Sequence, residues 1–198
     1  DFYKPVKKKL KFLKKFPKGF NILFAGNLGV AQSLKTLVSA IGIIRERNIN
    51  IIFLGDGRYK SILKKYISEL KLEEKFYFLG SYPPEIMPEF FSCADALYIS
   101  LKKANIFSYT IPGKLQSYLA CGKPILGSLD GIGKKIIIDS NSGLCSNAED
   151  HIKLSNNIIE LSEMSKAKRN SLSKNAIKYF RANFEKEMLI KQLIEIFN

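Results

Sequence analysis

From residue 21 onward, short apolar runs alternate with longer segments in which apolar residues recur three and four positions apart. The short runs are rich in β-branched and aromatic residues, as buried strands are, and the longer segments have the period of amphipathic helices. Strands are predicted at residues 21–25, 49–55, 75–79, 96–100, 124–127 and 143–146, with helices at about 31–46, 58–70, 85–93, 113–121 and 133–139. This alternation predicts an α/β fold with a Rossmann-like, doubly wound parallel sheet of about six strands.

The last third of the chain is predicted to be a helical C-terminal region, with helices at about 149–162, 165–182 and 184–197. Asn183 is suited to cap the final helix, because an asparagine side chain accepts hydrogen bonds from the free N–H groups of a first turn. Apolar residues recur on one face of this helix, at Met188, Leu189, Leu193, Ile194 and Phe197. Such a face needs a partner, either in this domain or in another one.

The turns after the strands are the candidate binding site. Right-handed crossovers place the loops that follow parallel strands at one edge of the sheet, where ligands of doubly wound sheets bind. Residues 26–29, Gly-Asn-Leu-Gly, separate a strand from a helix, so that their backbone N–H groups can approach a phosphate. Residues 55–58, Gly-Asp-Gly-Arg, do the same after the second strand. Each segment also fits an ordinary tight turn, and neither is a P-loop or a dinucleotide-binding fingerprint.

The segment from residue 105 to 126 offers the clearest candidate chemistry. A polar loop leads into a short helix, Gly122 ends that helix, and Lys123-Pro124 begins an apolar strand. Loop N–H groups together with Lys114 near the helix start could neutralise a diphosphate without a metal ion. The simpler interpretation is that Lys114 is exposed to solvent.

The chain is strongly basic. It has 32 Lys and Arg against 18 Asp and Glu, a formal net charge of +14, which favours phosphate-bearing partners. We interpret residues 1–20 as a basic, solvated and partly amphipathic lead-in or interdomain linker, although this segment could also lie on anionic lipid or bind nucleic acid. Its lysines are Lys4, Lys7, Lys8, Lys9, Lys11, Lys14, Lys15 and Lys18, interleaved with Leu10, Phe12, Leu13 and Phe16.

Several functional classes are excluded by composition. The three cysteines are widely spaced and lack a CxxC pair, so neither a disulfide framework nor a zinc site is predicted, and a cytoplasmic location is expected. The apolar runs are far shorter than the roughly 20 residues that span a bilayer. His151 is the single histidine, which excludes a catalytic triad of the serine-hydrolase type. Because the chain begins Asp1-Phe2-Tyr3 without an initiator methionine, we expect it to be part of a longer protein.

Six short motifs occur in a characteristic order along the chain. They are Phe24-Ala25-Gly26-Asn27-Leu28-Gly29, Leu54-Gly55-Asp56-Gly57, Phe78-Leu79-Gly80, Ala94-Asp95-Ala96, Ile111-Pro112-Gly113-Lys114 and Tyr118-Leu119-Ala120-Cys121-Gly122-Lys123-Pro124. Together they resemble the C-terminal donor-binding domain of family 4 glycosyltransferases with the GT-B fold, over about residues 20–198. The bacterial branch that builds surface polysaccharides, such as lipopolysaccharide or capsule, is the most similar, and residues 1–5 resemble the segment joining the two domains of that family.

This resemblance implies a retaining transferase that moves a sugar, in practice a hexose, from a nucleoside diphosphate donor that is commonly UDP-linked. Residues 21–198 would be the donor-binding domain, and the acceptor-binding N-terminal domain would lie outside this chain. The implied acceptor is lipid-linked or a polysaccharide, and the implied location is the cytoplasm, peripheral to the inner face of the membrane. No metal or other cofactor and no nucleic acid are implied as partners. The isolated chain is expected to be inactive, and its catalytic residues stay unknown.

The same resemblance places the donor against three loops. The first loop lies beneath the donor, the turn after the third strand lies beside the base, and the loop before the short helix holds the sugar and the diphosphate, with Ser117 facing the ribose. We also include Gly57 and Arg58 from the second glycine turn. The predicted donor-binding residues are Gly26, Asn27, Leu28, Gly29, Gln32, Gly57, Arg58, Gly80, Ser81, Tyr82, Tyr109, Thr110, Ile111, Pro112, Gly113, Lys114 and Ser117.

The sequence departs from this family at two acidic positions. The two glutamates that often bind the donor sugar and the ribose fall on Tyr109 and Ser117, and Ser117 cannot supply the charge-assisted bond of a carboxylate. The alternative is therefore a non-catalytic or divergent nucleotide-sugar-binding module that needs a partner chain. A nucleic-acid-binding protein is a second alternative, whereas a nucleotide-sugar epimerase would need acid and base residues that these loops lack.

Overall fold

A computed structural model describes residues 3–197, which form a six-stranded parallel sheet with helices on both faces. The strand order is β3-β2-β1-β4-β5-β6, so the order reverses between β1 and β4. Every predicted strand is confirmed, and no boundary differs by more than one residue. The strands are β1 (Phe20–Ala25), β2 (Ile49–Leu54), β3 (Phe76–Gly80), β4 (Ala96–Ser100), β5 (Ile125–Ser128) and β6 (Gly143–Ser146).

The predicted helices are present, with two differences in detail. The helix predicted at 31–46 is divided into a 3-10 turn, Val30–Gln32, and a helix from Lys35, because Ser33 between them has a left-handed backbone with φ of 43°. The polar loop before the short helix contains one additional helical turn, α5. The helices are α1 (Leu10–Leu13), α2 (Lys35–Ile43), α3 (Lys60–Glu69), α4 (Met87–Cys93), α5 (Asn105–Ser108), α6 (Gly113–Ala120), α7 (Gly131–Asp139), α8 (His151–Glu163), α9 (Lys166–Asn183) and α10 (Lys186–Phe197).

Two apolar layers enclose the sheet. Phe24 and Phe53 of the central strands pack into one layer with α2, α3 and α8, whereas Leu23 and Leu54 pack into the other with α4, α6 and α7. Alternate residues of a strand point to opposite faces, and helices cover both faces here, which explains why the strands are almost continuously apolar. In a strand with one exposed face, polar residues would alternate with apolar ones. Here leucine and isoleucine side chains are buried on both faces of the sheet.

The lead-in before β1 is packed against the domain through aromatic side chains. Phe12 in α1 is buried and packs edge-on against Phe90 of α4, with ring centroids 4.7 Å apart. Lys9 forms an ion pair of 2.5 Å with Glu89 on the same helix. Leu10 and Leu13 remain exposed, so this segment is amphipathic as predicted, but it is packed rather than fully solvated.

The C-terminal helices follow α8 without a further strand in the described residues. The prediction that Asn183 caps the final helix is wrong, because α9 continues through Asn183, whose side-chain amide donates to the Tyr179 carbonyl. The apolar face of α10 is exposed, as Leu193 and Phe197 illustrate. Among the helices within residues 3–197, none combines the length and apolar character needed to span a bilayer.

Candidate nucleotide-binding site

A cavity of about 480 Å³ opens at the carboxyl ends of the central strands. It lies where the strand order reverses, which is the position at which doubly wound sheets bind ligands. The turns after β1, β2 and β3 form one side, and α4 and α6 form the other. The lining residues are Tyr3, Ala25, Gly26, Asn27, Leu54, Gly55, Asp56, Ser81, Tyr82, Pro84, Met87, Phe91, Lys114, Ser117 and Tyr118.

The turns after β1 and β2 are packed directly against each other. The Gly26 N–H donates to the Leu54 carbonyl at 2.8 Å, and the Gly55 N–H donates to the Gly80 carbonyl at 2.8 Å. Gly55 has a φ of 127°, and a methyl group on its Cα would lie 2.0 Å from the Gly26 carbonyl oxygen. Only glycine fits this position, because a side chain would be both strained and in collision with backbone.

Lys114 in the first turn of α6 has a buried ammonium group. Its Nζ has no hydrogen-bond partner among the described residues and lies 4.0 Å from the ring centroid of Phe24. Burial lowers the pKa of Lys114 to about 8. The simple expectation of an exposed lysine is therefore not met. A buried cation that faces an aromatic ring and lacks a counter-charge is suited to bind an anion that enters the cavity.

The position of α6 is fixed by Tyr118, which belongs to the sixth motif but was not among the predicted donor-binding residues. The hydroxyl of Tyr118 is buried and accepts a hydrogen bond of 3.0 Å from the Ala25 N–H at the end of β1. Burial raises the pKa of Tyr118, which keeps this hydroxyl protonated. Tyr118 lies four residues after Lys114, on the same face of the helix. This spacing is the sequence feature from which its position beside Lys114 could have been predicted.

The structure brings six of the predicted donor-binding residues together around the cavity: Gly26, Asn27, Ser81, Tyr82, Lys114 and Ser117. They come from the loops after β1 and β3 and from α6, as expected for loops that follow parallel strands. Tyr3 lines the cavity together with Ser117, and its ring is stacked on Phe91 of α4. Tyr3 was not predicted, because nothing in the local sequence connects it to α6.

Other predicted residues of the first two turns have internal roles. The Leu28 side chain is fully buried in the core, and its N–H donates to the Asp56 carbonyl. The Gly29 N–H donates to Gln32 Oε1 at 3.1 Å, so both residues are engaged locally. The N–H groups of Gly26 and Gly29 thus already donate within the protein, which does not fit the expectation that they would donate to a phosphate.

The remaining predicted residues lie outside the cavity lining. The Gly57 N–H donates to Asp56 Oδ1, and Arg58 is exposed before α3. Gly80 ends β3 and accepts from Gly55. Four others form the link from α5 to α6: Tyr109, which is 80% exposed, Thr110, whose hydroxyl donates to the Ile106 carbonyl, Ile111, and Pro112 immediately before Gly113, the first residue of α6.

Of the described residues that line the cavity, Asp56 alone is acidic. Its carboxylate accepts from the Gly57 N–H at 2.8 Å and from Lys60 Nζ at 3.0 Å, and these bonds lower its pKa. Residues 3–197 contain no group of three or more histidine, cysteine or carboxylate side chains arranged to hold a metal ion. The positive group of the site is therefore Lys114, and its acidic group is already paired.

Comparison with known proteins decides the family. The sequence profile of "Glycosyl transferases group 1" matches residues 6–179. The chain belongs to the group 1 glycosyltransferase family. This confirms the resemblance stated from the motifs. A curated member of similar sequence, the probable glycosyltransferase WbjE of Pseudomonas aeruginosa, is 26% identical over 143 residues, which cover 71% of this chain and 35% of that protein.

Solved structures of other proteins share the fold of this chain. The sucrose-phosphate synthase of Thermosynechococcus elongatus superposes with a TM-score of 0.82 at 20% identity, over 99% of this chain and 49% of that one. Anabaena Alr3699/HepE in complex with UDP superposes with a TM-score of 0.76 at 17% identity, over 99% of this chain and 54% of that one. The chain thus spans about a third of WbjE and about half of these two structures.

Proposed function

We propose that this chain is the donor-binding half of a retaining glycosyltransferase that moves a hexose from a UDP-linked donor to a lipid-linked or polysaccharide acceptor. The observation that carries the proposal concerns Lys114, which lines the cavity at the sheet edge and whose buried ammonium has no hydrogen-bond partner among the described residues. A diphosphate is the part of such a donor that supplies negative charge, and a buried cation binds it strongly because water no longer screens the pair.

Three features of the cavity support a nucleoside diphosphate. The Gly26 backbone allows close approach beside Lys114, since a methyl group on Gly26 would lie 3.0 Å from Lys114 Nζ. The N-terminal turn of α6, with its partial positive charge, begins at the same place. Ser81 and Tyr82 supply polar and aromatic groups for a base beyond the diphosphate. In this proposal Lys114 and α6 provide the positive charge that other sites obtain from a metal ion.

The finer parts of the proposal rest on family membership and on the sequence motifs. The UDP complex of Alr3699/HepE supports a uridine nucleotide for a chain of the same fold. The Gly26–Gly29 turn and the Ile111–Lys114 segment support the branch that assembles lipopolysaccharide or capsule. Because the chain spans about half of its structural relatives, we propose that residues 1–20 connect it to an acceptor-binding domain, and that transfer needs both halves.

Calorimetric titration of the chain with UDP, GDP, ADP and UMP at physiological salt tests the donor site. We expect saturable binding that is strongest for UDP and weaker for UMP, because UMP lacks the second phosphate. If UDP binds to a protein that contains both domains but does not bind to this chain, the site needs the other half. If neither form binds any nucleotide, the proposal is wrong, and a divergent module that has lost its donor is the better description.

We further propose that the domain associates peripherally with an anionic membrane through the lead-in. Leu10 and Leu13 are 66% and 40% exposed, surrounded by exposed lysines, while Phe12 fixes the segment to α4. Basic residues around exposed apolar ones are typical of surfaces that bind anionic bilayers.

Co-sedimentation with phosphatidylglycerol vesicles tests this surface. The double variant Leu10→Ser, Leu13→Ser should reduce the bound fraction, whereas Ile152→Ser, which alters an exposed isoleucine on α8, should not. Salt-sensitive binding of duplex DNA or RNA in place of vesicles would instead support the nucleic-acid alternative.

A further inference from the structure

Tyr82, which lines the cavity, is positioned by side-chain packing. It lies in the link between β3, which ends at Gly80, and α4, which begins at Met87. In the part of the chain that the structure describes, no hydrogen bond involves Tyr82. Its ring packs against Phe90 of α4, with centroids 4.5 Å apart and an interplanar angle of 53°. The orientation of the Tyr82 ring in the cavity wall therefore depends on Phe90.

Phe90 also contacts the lead-in. It is fully buried, and Phe12 of α1 packs edge-on against it, with ring centroids 4.7 Å apart. Phe12 is itself only 6% exposed. Ring contacts thus run without interruption from α1 through Phe90 to Tyr82 in the cavity wall. Because protein interiors are close-packed, loss of the Phe12 ring would leave a space into which Phe90 and Tyr82 can move.

Two lysines on either side of Phe12 contact the same part of the domain. Lys9 forms the ion pair with Glu89 of α4, and the ammonium of Lys15 lies 5.9 Å from the ring centroid of Tyr82. These three residues of the lead-in are three positions apart, and the turn continues to Lys15, whose N–H donates to the Phe12 carbonyl. A helix of four residues is not stable by itself, so α1 depends on these contacts.

We infer that Phe12 is a positioning residue of the nucleotide site, which acts through Phe90 to hold the Tyr82 ring in the orientation that contacts a base. The inference rests on the proposed donor site. Stacking on an aromatic side chain contributes to the binding of a base, and this contribution is lost when the ring turns away. The lead-in, which we propose joins this domain to an acceptor-binding half, thereby affects how tightly the donor is held.

A double-mutant cycle on UDP affinity, measured by calorimetry, tests this path. Tyr82→Ala should weaken UDP binding roughly 5- to 150-fold, the range that corresponds to loss of one stacked base. Phe12→Ala should weaken it about fivefold or more in the wild-type background. In the Tyr82→Ala background the same change should have an effect of less than about twofold, because the residue through which Phe12 acts is then absent.

Phe12→Leu tests the same path with a smaller change in volume. It keeps an apolar side chain against Phe90 but loses the ring contact, so we expect a UDP affinity between those of Phe12→Ala and the wild type. If Phe12→Ala does not fold, Phe12→Leu takes its place in the cycle. If UDP binds only to a protein that contains both domains, the same variants are made in that protein.

Leu172→Ala is the matched control, because Leu172 on α9 is also 6% exposed but belongs to the opposite apolar layer and does not line the cavity. It should lower the free energy of unfolding and leave UDP affinity unchanged.

Three results would contradict the inference while the donor site stands. The first is wild-type UDP affinity in both Phe12 variants. The second is an equal loss of affinity from Phe12→Ala with and without Tyr82, which would show that Phe12 acts by a route other than Tyr82. The third is an unchanged affinity in Tyr82→Ala. Failure of this chain and of the two-domain protein to bind UDP contradicts both proposals.

Discussion

The ammonium of Lys114 lies 4.0 Å from the ring centroid of Phe24, with no hydrogen-bond partner among the described residues. The electron-rich face of an aromatic ring offsets a part of the cost of burying a cation, but it does not replace water or a carboxylate. The ammonium of Lys114 is therefore a desolvated charge. In the proposed donor site, a phosphate would supply the charge-assisted hydrogen bonds that Phe24 cannot.

Replacing Lys114 tests the charge directly. Lys114→Met should weaken UDP binding roughly 10- to 100-fold, since hydrogen bonds to charged groups contribute about 1.5–3 kcal/mol. The variant should also be at least as stable as the wild type, because it removes a buried, unpaired charge and keeps the apolar stem. Calorimetry and urea unfolding measure the two effects. Lys174→Ala, which removes an exposed lysine on α9, is the control and should change neither; equal UDP affinity in Lys114→Met would exclude Lys114 from the site.

The lowered pKa of Lys114 predicts opposite pH trends for binding and stability. The pKa is about 8 in the folded protein against an ordinary value of 10.5. Between these values the unfolded chain binds more protons, so the contribution of Lys114 to the free energy of unfolding rises with pH across that window. UDP binding should weaken over the same range, because the neutral amine does not attract a diphosphate.

Other buried groups titrate in the same window, so the pH test is made as a difference. Burial also lowers the pKa of Lys123 to about 8 and raises that of Cys121 to about 12, with opposite effects on stability at alkaline pH. Subtracting the unfolding free energies of Lys114→Met from those of the wild type at pH 7.5, 8.5 and 9.5 isolates Lys114. A difference that does not vary with pH would show that Lys114 has an ordinary pKa.

Tyr118→Phe should destabilise the domain by about 1–3 kcal/mol, because the buried Ala25 N–H loses its acceptor. It should also weaken UDP binding, since the turn after β1 is no longer fixed to α6. Tyr66→Phe removes a hydroxyl pair that is only partly buried and should cost less. Urea unfolding measures both variants, provided that their free energies of unfolding depend on urea concentration with the same slope. Equal losses of unfolding free energy would contradict a special role of the Tyr118 hydrogen bond.

Gly55→Ala should prevent stable folding or nucleotide binding, because the added methyl group meets the Gly26 carbonyl at 2.0 Å in a backbone with φ of 127°. Gly113→Ala is its counterpart, since nothing lies within 4 Å of the corresponding position. That variant should be neutral or slightly stabilising, as alanine favours helix over glycine. Thermal unfolding distinguishes them, and a tolerated alanine at position 55 would show that the two turns can separate.

The proposal that Lys114 and α6 replace a metal ion predicts that UDP binding is the same with excess EDTA and with added Mg²⁺ or Mn²⁺. The measurement is a titration in each condition on metal-free protein. An affinity that rises severalfold with one of these ions would show that the diphosphate is bound with a metal ion.

Periodicity was sufficient to predict the sheet, because the strands are buried on both faces and differ sharply from the amphipathic helices between them. It did not predict the break at Ser33, where a single left-handed residue separates the turn Val30–Gln32 from α2. Such a break depends on φ at one residue. It leaves the apolar pattern on either side unchanged.

For the site, local sequence predicted the loops but not their internal hydrogen bonds. Gly26 and Lys114 were identified from the turn and the helix start that contain them. Tyr3 was missed because it packs against Phe91 of α4, which is distant in the sequence. The burial of the Lys114 ammonium was missed because it depends on Phe24 in β1. Contacts of this kind follow from the three-dimensional packing and have no signature within one segment.

The desolvated charge of Lys114 also provides a way to identify the donor without an activity assay. A ligand that binds only the folded protein stabilises it by about 2.7 kcal/mol at a concentration 100 times its dissociation constant. Nucleotide sugars can therefore be ranked by the increase in melting temperature that each produces. Because an increase that depends on Lys114 is lost in Lys114→Met, each compound has its own internal control, and no acceptor is required.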